Sequence, residues 1–203
     1  MLLFIPTITF AQTTNPLLAQ NARNAILIET STGKILFEKN KDERVAIASL
    51  TKMMSQIIIL EAVEKGNLNW DEKVTTSAYA AGFGGTQIYL QPGEVMSARD
   101  LMKGISISSA NDATVALAER IAGTEEKFVE MMNQKVKEFG LKNTNFANCT
   151  GLDQEGNYST AYDLSIIAQE LLKHDQILEF SSTTKRSLKV IRSNLNSSLK
   201  RKP

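Results

Sequence analysis

The chain has 203 residues, 42% hydrophobic and 22% charged, enough to bury a sizeable core in one domain and too apolar for a disordered chain. The formal net charge of +1 hides an asymmetry: seven basic and no acidic residues follow Phe180, leaving 16 basic against 22 acidic before it. A basic end without interleaved aromatics beside an acidic body argues against nucleic-acid binding. Cys149 is the only cysteine, so a disulfide within the chain is excluded, and it is expected as a small buried hydrophobe.

The first segment, "MLLFIPTITFAQTTNPLLAQN", carries a short apolar run from Leu2 to Phe10 that ends at Ala11. It is too short to span a bilayer and is similar to the apolar part of an export signal without the positive n-region. Residues 1–20 are therefore expected to be an export-signal remnant or an N-terminal arm. "NAILIETSTGKILFEKN" predicts a hairpin, with strands over Ala25 to Glu29 and Lys34 to Glu38 around Thr-Ser-Thr-Gly. "AIASLTKMMSQIIILEAVEKG" follows, apolar nearly all round, and predicts a buried central helix closing at Gly66.

The polar, Gly-rich stretch after Gly66 predicts an irregular excursion with a short strand around Gln87 to Leu90. Ser97 and Asp100 form a capping-box pattern that opens a second helical region. Three more helices are expected over Ala113 to Ala122, Glu125 to Phe139 and Ala161 to Lys173, the last capped by Thr160 and Asp163. The acid pairs at Asp71 and Glu125 read as solvated helix-start charges. Beyond Phe180 the periodicity fails, so residues 181–203 are expected to be a basic, aberrant tail after a domain spanning 21–180.

Ser49 and Lys52 head the apolar helix, three residues apart and so on one face. Burial would lower the lysine pKa and free an amine to take the serine proton, giving a nucleophile and base without histidine. Spacing alone decides little, because three other S-x-x-K matches occur, at Ser31 and Lys34, Ser182 and Lys185, and Ser197 and Lys200. Those lie in the hairpin turn or the polar tail, where a lysine stays solvated. The bland alternative for Ser49 and Lys52 is a serine cap with a snorkelling lysine. "SSAND" supplies the one S-x-N of the chain, Ser109 and Asn111, in a break between helices that could aim a hydroxyl and an amide into a cleft. Taken singly, it is an ordinary capping turn.

The two motifs together match the set of penicillin-interacting serine enzymes. With "ASLTKMM", "GTQIYLQPGE", "DLMKGISISSANDA" and "FANCTGLDQEGNYSTAYDLSIIAQELL", the chain resembles the serine D-alanyl-D-alanine carboxypeptidases, the low-molecular-mass penicillin-binding proteins, from about Asn24 to Asp175. The resemblance implies an α+β, β-lactamase/transpeptidase-like fold, an antiparallel sheet between helix clusters with the Ser49 helix at the centre. It implies Ser49 as acyl-enzyme nucleophile, Lys52 as base, Ser109 as proton relay and Asn111 as a substrate contact. It also implies peptidoglycan stem peptides as substrate, β-lactams as acylating inhibitors, an exported cell-envelope location and membrane association of a full-length parent, with no cofactor or metal.

The family's third motif, K-T-G, is not in the sequence, whose last glycine is Gly156. The reading is therefore a truncated domain whose later strands are missing, leaving the hairpin with an exposed edge and face. A catalytically impaired fragment is the alternative. A Ser-His-Asp hydrolase would need His174, the sole histidine, expected simply as a helix-end residue. A class A β-lactamase would need an E-x-x-L-N string, which is absent.

Overall fold

The structure is a computed structural model and describes residues 18–182. The expectations for the apolar run Leu2 to Phe10 and for the tail beyond Ser182 lie outside these residues. The hairpin forms as expected, β1 (Ala25–Glu29) and β2 (Lys34–Lys39) pairing antiparallel with an irregularity between Leu27 and Ile28. Its alternation is visible in exposure. Ile35 and Phe37 are half-buried, while Leu27 and Leu36, at 49% and 55% exposure, face solvent.

A tight 3-10 turn over Ala48–Thr51 then leads into α1 (Lys52–Glu64). Met54, Ile57, Ile58, Ile59 and Leu60 of α1 are all at most 3% exposed, which makes it the centre of the core. Three helices pack around it: α4 (Asn111–Ala122), α5 (Glu125–Glu138) and α6 (Ala161–Leu172). Between α1 and α4 lie β3 (Lys73–Thr75), α2 (Ala78–Ala81), β4 (Val95–Ser97) and α3 (Ala98–Ser108). β3 and β4 pair antiparallel, a second two-stranded sheet that the sequence did not announce.

Helix starts follow the capping residues. Ser97, Thr124 and Thr160 each accept a hydrogen bond from a backbone N–H three residues on. Three expectations need correction. The strand around Gln87 to Leu90 does not form, because the N–H groups of Ile88 and Leu90 donate to the carboxylate of Asp112, at 3.1 and 2.9 Å, instead of to a neighbouring strand. The start of the central helix is wound as a 3-10 turn. A further helix, α7 (Gln176–Ser182), was not expected from the sequence; Phe180 anchors it against Trp70 with ring centroids 4.9 Å apart.

Candidate active site

The site begins with backbone geometry. Ala48 has φ +45°, a conformation costly for a residue with a Cβ, and it turns the chain so that Ser49 stands exposed at the head of the 3-10 turn. Side chains three apart on a 3-10 turn eclipse one another. The Nζ of Lys52 accordingly lies 3.3 Å from the Oγ of Ser49. Neither bland reading holds, since no side chain caps the turn or α1, and Lys52 is 2% exposed rather than snorkelling.

Lys52 also donates to the carbonyl oxygen of Thr150 at 2.7 Å. Burial lowers its pKa from 10.5 to about 8, with neighbouring Cys149 acting in the opposite direction. At pH 7 roughly one amine in ten is then neutral, against fewer than about one in a thousand for a solvated lysine. That is a base placed where it can take the Ser49 proton.

The loop carrying Thr150 is tied down on several sides. Asn148 Oδ1 accepts from the N–H groups of Thr150 and Gly151 at 3.1 and 2.6 Å, while Ser55 of α1 donates to the Cys149 carbonyl at 2.7 Å. Gly151 has φ +82° and passes so close to the Ala48 carbonyl that a Cβ there would collide with it. The two backbone segments that set Ser49 and Thr150 therefore touch directly. Thr150 was not legible as a site residue, because its contribution is a main-chain oxygen with no side-chain signature.

Asn111 begins α4, 4% exposed, with Nδ2 donating to Gly84 O at 2.8 Å and its backbone N–H to Thr86 O at 2.7 Å. Ser49, Gly85, Thr86, Asn111 and Gly151 line one open cleft of about 380 Å³. Of the four residues singled out by sequence, Ser49 and Asn111 face this cleft and Lys52 lies beneath Ser49. Ser109 is not among the lining residues. It caps α3 in the left-handed conformation, φ +54° and ψ +37°, at the turn into α4. Elsewhere, Ser31 and Lys34 are exposed in the hairpin, and His174 sits 2.7 Å from Glu64, away from this cleft.

Glu125 departs from its expectation. It is 7% exposed, not solvated, and its carboxylate accepts from Tyr79 Oη at 2.6 Å and from the Cys149 N–H at 3.1 Å.

Residues 10–202 match the family described as D-alanyl-D-alanine carboxypeptidase. The chain belongs to that family. D-alanyl-D-alanine carboxypeptidase DacF of Bacillus subtilis (strain 168) is 54% identical over 166 residues, covering 82% of this chain and 43% of the relative. DacC of Escherichia coli (strain K12) is 37% identical, covering 89% of this chain and 46% of its own length. The chain thus spans less than half the length of these two carboxypeptidases.

Among solved structures, the carboxypeptidase DacD from Francisella tularensis superposes with a TM-score of 0.77 at 39% identity, over 79% of this chain and 39% of the other. Penicillin-binding protein D2 from Listeria monocytogenes, in its ampicillin-bound form, gives 0.74 at 33% identity, over 83% of this chain and 69% of the other. The transpeptidase-like fold expected from the motifs is therefore that of the carboxypeptidase family's solved members.

Proposed function

We propose that this chain carries the acylating part of a serine-type D-Ala-D-Ala carboxypeptidase site, acting on peptidoglycan stem peptides in the cell envelope and acylated by β-lactams. The observation that supports it is the buried, pKa-lowered amine of Lys52 lying 3.3 Å from the exposed hydroxyl of Ser49, at a cleft shared with Asn111. Family membership gives the reaction class, and the residue roles are assigned from the motifs. No helix among the described residues is long and apolar enough to cross a membrane.

In the proposed reaction, neutral Lys52 takes the Ser49 proton as Oγ bonds to the carbonyl carbon of the penultimate D-alanine. The Ser49 backbone N–H, at the head of the turn, is one proposed donor to the tetrahedral oxyanion. The C–N bond then breaks, and the departing amine of the terminal D-alanine receives the proton from Lys52 by way of Ser109. Asn111 holds the substrate amide through its remaining donor and its carbonyl oxygen. Water, deprotonated by the same amine, releases the shortened peptide from Ser49.

A second reading, an impaired domain that binds peptidoglycan or β-lactam weakly, is favoured by the lack of a K-T-G in these 203 residues. One experiment separates the two: intact-protein mass after incubation with a penicillin. An adduct that is absent from Ser49→Ala and retained in Ser31→Ala supports the acylating site. An adduct of equal yield in Ser49→Ala overturns the assignment, and no adduct on a folded chain supports the impaired domain.

A further inference from the structure

Glu125 is a buried carboxylate that the reaction above does not use. It opens α5, and its two oxygens reach in different directions. One accepts from the Cys149 N–H at 3.1 Å, the residue before Thr150. The other accepts from Tyr79 Oη at 2.6 Å, on α2. α2 leads through Gly82 and Phe83 toward the cleft-lining residues Gly85 and Thr86, so each of the two segments that Glu125 joins runs on into residues that line the Ser49 cleft.

We propose that Glu125 is a positioning residue for the Ser49 site: from outside the cleft its carboxylate ties α2 to the loop of Cys149 and Thr150, fixing the carbonyl that holds the Lys52 amine.

The chemistry favours this arrangement over a solvated charge. A carboxylate with two well-directed donors is satisfied on both oxygens and constrains both partners, whereas a flexible surface glutamate constrains neither. The Tyr79 hydroxyl, held by Glu125, has its pKa raised, so it stays a donor throughout the neutral range. Cys149, whose N–H would lose its acceptor, is fully buried and cannot replace the lost support with water unless the loop opens. Opening would admit water beside Lys52, whose low pKa is caused chiefly by its burial. Cys149 is the other titratable group bearing on Lys52; it acts to raise the Lys52 pKa, against burial, while burial pushes its own thiol pKa up.

The inference rests on the Ser49–Lys52 reading, and its test reads Lys52 without substrate. Chain labelled with carbon-13 lysine is titrated by NMR, Lys52 being assigned by its disappearance in Lys52→Arg. Glu125→Ala is expected to raise the Lys52 midpoint by about one unit, a tenfold smaller amine-to-ammonium ratio at a fixed pH below it. Glu125→Gln can accept from Cys149 and donate to Tyr79, and is expected to keep the parent midpoint. Glu130→Ala, exposed on the same helix, is the control expected to leave it unmoved.

A lower melting temperature for Glu125→Ala with an unmoved Lys52 midpoint would show a merely structural role and overturn the proposal. So would a Gln variant that behaves like the Ala one, because the hydrogen bonds would then not be what matters. Should Glu125→Ala fail to fold, Tyr79→Phe removes one arm from a half-exposed residue, and a shift of the same sign supports the clamp while none overturns it. Penicillin adduct formation is scored separately on the parent chain. Its failure there counts against the function, while the titration still decides the clamp.

Discussion

The amine of Lys52 lies 2.7 Å from the carbonyl oxygen of Thr150, a residue 98 positions further along the chain. A carbonyl can only accept, so one lysine N–H is held there while the amine remains within 3.3 Å of Ser49 Oγ. If the amine is the base, acylation must follow its deprotonation. The rate constant for penicillin acylation is expected to rise about tenfold per pH unit below about 8 and to level off above it. Time-resolved intact mass between pH 5.5 and 9.5 checks this, and a profile flat across pH 7 to 8.5 would remove Lys52 from the role.

The same lowered pKa predicts how stability varies with pH. Below about pH 8 Lys52 is charged in both the folded and unfolded chains, so the folded state bears the full cost of the buried ammonium. Between about 8 and 10.5 the folded lysine has lost its proton while the unfolded one keeps it, and stability gains as pH rises. Lys52→Met has no such titration. The stability of Lys52→Met relative to the parent is therefore expected to be most favourable near pH 7 and to decline by about 1 to 3 kcal/mol by pH 10. Denaturant melts of both chains at the two pH values measure this, and a constant difference would contradict it.

How much of this was legible in the sequence depends on what carried each feature. The hairpin, the central helix and the three later helices rest on apolar periodicity and on capping side chains, and they appear within a few residues of expectation. Ser49, Lys52 and Asn111 were singled out because their side chains repeat a known spacing in a suitable context, and the structure brings these three together. The strand expected at Gln87 to Leu90 was not realised because an apolar run shows how buried a segment is and not which acceptor its N–H groups find, here Asp112. Thr150 was missed because a main-chain oxygen leaves no mark in sequence. Glu125 was misjudged because a glutamate at a helix start is usually solvated, and only the fold places Tyr79 and Cys149 against it.

Gly151 and Gly33 form a contrast that separates crowding from conformational preference. Both have positive φ, +82° and +71°, so alanine is disfavoured at each by about 1 to 2 kcal/mol. A Cβ at Gly33 meets nothing within 4 Å, whereas at Gly151 it would strike the Ala48 carbonyl and approach Thr51 Oγ1 at 2.9 Å. Gly33→Ala is expected to cost about 1 kcal/mol and leave penicillin acylation intact. Gly151→Ala is expected to cost on the order of 3 kcal/mol or more and to abolish acylation by displacing Ala48 beneath Ser49. Thermal unfolding with adduct mass on both variants tests the difference, and equal effects would show that this close approach does not set the nucleophile.

Asp112 supplies the last test, because it serves the cleft without touching it. It is fully buried, and its oxygens accept from Ile88 N, Leu90 N and the Ala113 N–H. Ile88, Leu90 and Ala113 are themselves only 7%, 3% and 0% exposed, so removing the carboxylate strands three buried donors, each at about 1 to 3 kcal/mol before any relaxation. The same segment carries Gly85 and Thr86, and the Thr86 carbonyl accepts from the Asn111 N–H at 2.7 Å. Asp112→Ala is therefore expected to destabilise the chain by roughly 2 to 4 kcal/mol and, where still folded, to weaken β-lactam recognition more than the chemical step. Asp112→Asn keeps one acceptor and turns an amide donor toward the other N–H, so it should fall between the parent and Ala. Acylation measured against penicillin concentration separates apparent affinity from the limiting rate, and an unchanged affinity in a folded Asp112→Ala would show that the wall does not depend on this carboxylate.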